Sequence, residues 1–320
     1  MNEEDLKKLL LSKAFRGKKR KKSKLTPHFP MGMEREYIRI SRAYMNVLGE
    51  VIKTHQEDIK QAISARHDDA DDNDNRTYTL HDIFSKIAED FGVKITIFDL
   101  KSKLEKLSSS MGNMTTREWR RAVRETLGID ITEDYFRGSQ YKHLLEEWTH
   151  NNVSMISGLP KETLGKMEDI VYDGWRNGKS IDNIMKNIMH TYDVDKNYAK
   201  FLATDQMGKL NSQLNRMQQK SVGVNRYVWS TAKDSRVRSG HRKLHGKVFS
   251  WDDPPIVDEK SGRRAHPGED YRCRCIAIAY FDETELNIPL NAVNWEEIDR
   301  RTSAILNKNK KKTKRKTSER

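Results

Sequence analysis

Between residues 33 and 64 the apolar positions Tyr37, Ile40, Tyr44, Val47, Leu48, Val51 and Ile52 recur at intervals of three and four. That spacing lines one face of a long helix, which must find a partner surface to cover its stripe. Similar signals continue downstream. HDIFSKIAEDF reads as a helix ended by Gly92, and Thr115 with Glu118 forms a capping-box pattern before WRRAVRETLG, which Gly128 stops. Pro160 opens a helix through Trp175, Ser180 can cap IDNIMKNIMHTY, and Asp195 can cap a segment running from Asn197 to about Ser221. KITIFDL fits either a short strand or the start of another helix. Residues 33–222 are therefore expected to be predominantly helical.

After Gly223 the pattern changes. RYVWST and KVFSW alternate like strands, Pro254, Pro255, Gly262, Pro267 and Gly268 punctuate a loop, and CIAIAYF reads as a buried strand. The expected architecture is a mainly α N-terminal region followed by a small α+β C-terminal domain, with disordered basic termini. A chain of 320 residues holds about two or three folding units. The divisions fall at 1–32 (basic arm), 33–195 (helical region), 196–282 (α+β domain) and 283–320 (C-terminal segment with basic tail). No run of about eighteen apolar residues occurs, and the N-terminus turns basic where a signal peptide needs its apolar stretch, so a soluble, unsecreted protein without a membrane partner is expected. The acidic stretch HDDADDNDN, residues 67–75, lacks the Gly and Glu of a calcium loop and reads as a solvated linker.

The net charge of +13 is concentrated at the ends. Residues 13–25 carry eight Lys or Arg and no acid, and residues 307–320 carry eight more against Glu319, so the body between them is close to neutral. Such blocks attract polyanions without sequence preference, and each phosphate contact releases counterions. Candidate nucleic-acid contacts are Lys18, Lys19, Arg20, Lys21, Lys22, Lys310, Lys311, Lys312, Lys314, Arg315 and Lys316. The bland alternatives are a solubilising tail and a localisation-like run.

The two cysteines of the chain, Cys273 and Cys275, lie just downstream of His266. With His266 and either His241 or His245 they make a possible Cys₂His₂ zinc set: His241, His266, Cys273, Cys275. On a regular strand, however, residues two apart are separated by about 6.5 Å, whereas two thiolates on one zinc lie under about 4 Å apart, so the backbone would have to kink at Arg274. A disulfide across one residue is strained for the same reason. A nucleophilic cysteine, with Arg272 and Arg274 stabilising its thiolate, lacks a recognisable oxyanion device. These arguments favour a packing role with hydrogen-bonded histidines, no enzyme and no cofactor, and leave zinc as the alternative. In WSTAKDSRVRSGHRKLHGK, Asp234 is read as a helix cap and Gly246 as its stop, with His241 and His245 on one face; a dedicated anion site is the alternative. Asp205 and Gln206 sit near Leu202 and Leu210 on the long helix before it.

Three linked motifs, ATDQMGKLNSQLNRMQ, GVNRYVWSTAKDSRVRSGHRKLHGKVF and HPGEDYRCRC, come in an order that resembles the phage Mu protein F-like minor head proteins, the head morphogenesis family. Asp205, Gln206, Gly223, Trp229, Asp234, Arg236, Arg238, His241, Gly246, Pro267, Gly268, Cys273, Arg274 and Cys275 fall on that pattern. The resemblance covers roughly residues 198–281. It departs at Asp205, where relatives are also expected to carry Glu, and in the long loop from Trp251 to Arg264. It implies a virion component at the head interior or portal vertex, present in the host cytoplasm during assembly, with portal and other head proteins as partners; packaged DNA is the partner expected of the basic arms. The rival readings are a zinc-dependent enzyme acting on nucleic acid and a free, non-catalytic DNA-binding protein.

Overall fold

The computed structural model describes residues 3–68, 73–298 and 300 of the chain. It is mainly helical, with a small sheet region towards the C-terminus, as the periodicity predicts. Two compact units emerge: one built from residues 1–30, 111–144 and 208–320, the other from 31–110 and 145–207.

The second of these units is helical. Helix α2 (Met31–Thr54) buries Tyr37, Ile40, Tyr44, Leu48, Val51 and Ile52, and α3 (Gln56–Asp68) follows it. The single long helix expected here is therefore jointed at His55, a buried imidazole that reaches Asp58 at 3.0 Å and Asp90 at 2.7 Å. Helix α4 (Asn73–Ile95) runs through Gly92 instead of stopping there, and KITIFDL resolves into a 3-10 turn at Thr96–Phe98 ahead of α5 (Leu100–Leu127). The acidic stretch 67–75 falls partly outside the described residues.

Three expected helix starts lie inside longer helices. Thr115 is internal to α5 and turns its hydroxyl back to the Met111 carbonyl at 2.8 Å, so it caps nothing. Helix α6 (Ser139–Arg176) continues across Pro160. Losing a helical hydrogen bond there costs about 3 kcal/mol, but Trp148, Ile156, Leu159, Met167 and Val171 form one buried stripe on both sides of the proline. Helix α7 (Ile181–Lys220) likewise passes through Asp195, which is no cap: its carboxylate accepts from Thr163 Oγ1 at 2.9 Å and Lys166 Nζ at 2.9 Å, tying α7 to α6. Gly128 (φ +76°) does end α5, and Ser180 accepts weakly from the Asn183 amide at 3.4 Å.

The other unit is organised around β6 (Ile276–Asp282), the central strand of a four-stranded antiparallel sheet. Helix α1 (Glu3–Phe15) leads to strand β1 (Arg20–Lys22), which pairs with one side of β6; β2 (Arg226–Ser230) pairs with the other and carries β3 (Val248–Ser250) at the far edge. Strands β4 (Ile256–Asp258) and β5 (Arg263–Arg264) form a separate hairpin. RYVWS, KVFSW and CIAIAYF thus become strands, as their alternation predicts.

The basic N-terminal block, expected to be disordered, is partly built into this sheet. Its cations suit an edge strand, where charged side chains remain in water. Arg20 Nε reaches the buried carboxylate of Asp282 at 2.7 Å, the Ser23 amide donates to the Ala279 carbonyl at 2.8 Å, and fully buried Phe15 anchors α1 in the core with Trp119, Phe136 and Phe281. Trp119 and Phe281 stack at 5.9 Å. The C-terminal block, with Lys310, Lys311, Lys312, Lys314, Arg315 and Lys316, lies outside the described residues.

Candidate metal centre

A second core cluster of the sheet unit gathers Tyr227, Trp229, Trp251, Val257, Cys273 and Cys275. Short helix α8 (Ser239–Leu244) enters it through His241, and the loop between β5 and β6 enters through both cysteines. Regular strand geometry would have kept the thiols apart, but neither cysteine is in the strand. Arg272 adopts φ +52°, and beyond it the Cys275 amide donates to Cys273 Sγ at 3.3 Å, folding the stretch back on itself. The left-handed residue is Arg272, just before the cysteines, and not Arg274, where a kink would be required by regular strand geometry. Cys273 Sγ and Cys275 Sγ each lie 3.5 Å from His241 Nδ1.

On its other side His241 Nε2 lies 2.9 Å from Asp270 Oδ2. The Asp270 side chain is fully buried and also meets Arg263 Nε at 2.9 Å and Arg238 Nη1 at 3.1 Å. Burial raises the Asp270 pKa, but the bonds to His241 and the Tyr271 amide and the two arginines prevail, holding it down at about 2. Burial opposes a charge on His241, yet Asp270 and the Cys273 sulfur bring its pKa up to about 9. The Cys275 contact is the main reason the Cys273 thiol is acidified, with His241 adding to it, while the Cys275 thiol is pushed up by Cys273 and by burial. Free of metal, the cluster is thus a Cys273 thiolate and a His241 imidazolium backed by the Asp270 carboxylate.

The remaining predicted positions separate from it. His266 is a core residue: Nδ1 meets the Tyr227 hydroxyl at 2.9 Å, its ring packs 5.0 Å from Trp251, and burial lowers its pKa. It is not among the three clustered ligand atoms, so the Cys₂His₂ set is corrected to His241, Cys273 and Cys275. His245 follows the last residue of α8, and its Nδ1 accepts from the Thr231 amide at 3.1 Å, so it does not share a face with His241. Asp234 does not cap α8, whose N-cap position is Arg238; it sits too far upstream and binds the Arg236 amide and Nε at 3.0 Å in an exposed turn. Arg274 lies over the Phe29 ring at 5.6 Å. Gly246 (φ +80°) follows α8 as its stop. Asp205 and Gln206 belong to the helical unit, where Gln206 is buried, bonds Asp205 at 3.3 Å and accepts from the Trp148 indole N–H through its carbonyl.

Pro267 and Gly268 turn the loop against α7. A Cβ on Gly208 would lie 2.8 Å from both the Cys273 and Gly268 carbonyl oxygens, so helix and loop touch backbone to backbone. Gly208, Arg263 and Asp270 were not singled out from the sequence. The cue for Asp270 was its place three residues before Cys273, where a carboxylate can orient a ligating histidine.

Residues 165–278, which contain α7, α8, both cysteines and the intervening loop, match the family model described as "Phage Mu protein F like protein". This stretch is similar to the phage Mu F-like proteins. An uncharacterized protein of Haemophilus influenzae is 29% identical over 164 residues, covering 51% of this chain and 35% of that protein. The chain thus spans about a third of the length of that relative. No solved structure matches. The matched family is the one that the three linked sequence motifs resemble. Among the described residues no helix is long and apolar enough to cross a membrane.

Proposed function

We propose that the chain is a minor head protein of phage head morphogenesis that docks at the portal vertex and contacts packaged DNA. The observation that carries this reading is the Mu F-like match over residues 165–278. Two surfaces support its finer parts. In the helical unit, α7 exposes Val194, Tyr198 and Phe201 at successive helical spacings (51%, 47% and 42% exposed), an apolar stripe of the kind that seats in a partner's groove. In the sheet unit, Arg16, Lys18, Lys22, Lys24 and Arg124 line one side of a cleft of about 660 Å³ together with Arg20 and Lys21. Burial and then the neighbouring Arg16, Lys24 and Lys18 lower the Lys21 pKa, a repulsion that a phosphate would relieve.

The test uses the full chain with portal protein and with duplex DNA. Wild type is expected to co-purify with portal, and Phe201→Glu to weaken that association at least about tenfold. Reversing Lys18, Lys22 and Lys24 to Glu is expected to weaken DNA binding and to reduce the salt slope by roughly one per lost phosphate contact. Fully infectious heads assembled without this chain would overturn the proposal.

A further inference from the structure

We infer that His241 Nδ1, Cys273 Sγ and Cys275 Sγ hold one zinc ion, a staple between α8 and the loop that leads into β6. Zinc at about 2.3 Å from sulfur and about 2.0 Å from nitrogen, in tetrahedral geometry, sets sulfur and nitrogen about 3.5 Å apart. Both sulfurs stand 3.5 Å from the same imidazole nitrogen. One N–H cannot point squarely at two sulfurs, whereas one metal serves all three atoms.

The surroundings are those of a metal ligand set. His241 turns its second nitrogen to Asp270 at 2.9 Å, the outer carboxylate that fixes the tautomer of a ligating histidine and leaves Nδ1 with its lone pair. The Cys275 amide donates to Cys273 Sγ, which steadies sulfur charge. Trp229 contributes a buried indole N–H that has no nitrogen or oxygen acceptor, beside the Cys275 sulfur. Charge also balances. Two thiolates neutralise the dication, and the Asp270 charge is met by Arg238 and Arg263. Loading Zn²⁺ releases the Cys275 thiol proton and the His241 Nδ1 proton to solvent, and three protein ligands leave one coordination position open. Both cysteines are only 3% exposed, which denies a substrate the approach that a nucleophilic cysteine requires and suits a metal that ties two chain segments together. The inference is independent of head assembly: a chain that holds zinc but ignores portal would retain it.

Metal analysis of the purified full chain is expected to find roughly one zinc per chain, and titration with an organomercurial to release it as two thiols react. Cobalt substitution is expected to give the intense near-ultraviolet sulfur-to-metal band of two thiolates. Cys275→Ser removes the ion, Asp270→Asn weakens its affinity by about 10–100-fold, and His245→Gln leaves it in place. Where Cys275→Ser fails to fold, the mercurial titration of wild type decides alone. A wild-type chain without zinc, one holding copper or iron instead, or one whose two cysteines are joined as a disulfide overturns the inference.

Discussion

At the scale of single residues, the chain uses glycine in two opposite ways. Gly208 is pressed against two carbonyl oxygens of the cysteine loop, so Gly208→Ala must separate helix from loop and is expected to cost about 1–3 kcal/mol in denaturant unfolding. Gly165, internal to α6, has nothing within 4 Å of a Cβ, and Gly165→Ala is expected to stabilise by about 0.5–1 kcal/mol in the same measurement. Nothing in the sequence around either glycine distinguishes them, because the difference lies in what arrives from sixty residues further along. The cysteines show the same limit. Their types announced a metal or a packing pair, but the strand rule that argued against metal assumed they lay in β6, and the left-handed Arg272 just before them has no distinctive residue type to signal it. Beside His266, the second histidine of the expected set was open between His241 and His245, and the end of α8 at Leu244 separates these two.

At the scale of elements, periodicity located the helices of residues 33–222 and the strands β2, β3 and β6 but misplaced the helix ends and passed over α1, β1, β4 and β5. Local caps such as Thr115, Pro160 and Asp195 compete with apolar stripes that run past them, and burial of the stripe outweighs a lost backbone bond. Among the elements passed over, β1 was hidden because a Lys-rich run is ordinarily solvent-loving and its strand character comes from β6, far away in the chain. Across this pairing the buried Asp282 meets Arg20. Asp282→Asn is therefore expected to loosen β1 and to make the Lys18–Lys24 stretch a preferred tryptic site under native conditions, while zinc content stays unchanged. Protection equal to that of wild type would show that the backbone ladder alone suffices.

At the scale of the whole molecule, pH response follows from groups whose charge is set by folding. Asp270 titrates at about 2, against about 4 in an unfolded chain, and Asp282 is also lowered, its bonds to Thr284 and Arg20 prevailing over burial. Folded values below unfolded ones mean stability that is present above about pH 4 and lost as pH falls towards 2. In metal-free protein, His241 titrates at about 9 against about 6.5 unfolded, so its contribution is full below about 6.5 and lost as pH rises through 9. Thermal unfolding of the metal-free chain is thus expected to show an acid arm and an alkaline arm, and zinc to abolish the His241 contribution to the alkaline arm. The discontinuous sheet unit has a further consequence, for biosynthesis. Its three stretches, 1–30, 111–144 and 208–320, bracket the segments of the helical unit, and Arg20 waits for a carboxylate 262 residues away. A ribosome completes every residue of the helical unit before the strand at the centre of the sheet emerges. Strand β1 must then wait through the synthesis of the whole helical unit without its partner, its positive charge keeping it solvated until β6 arrives.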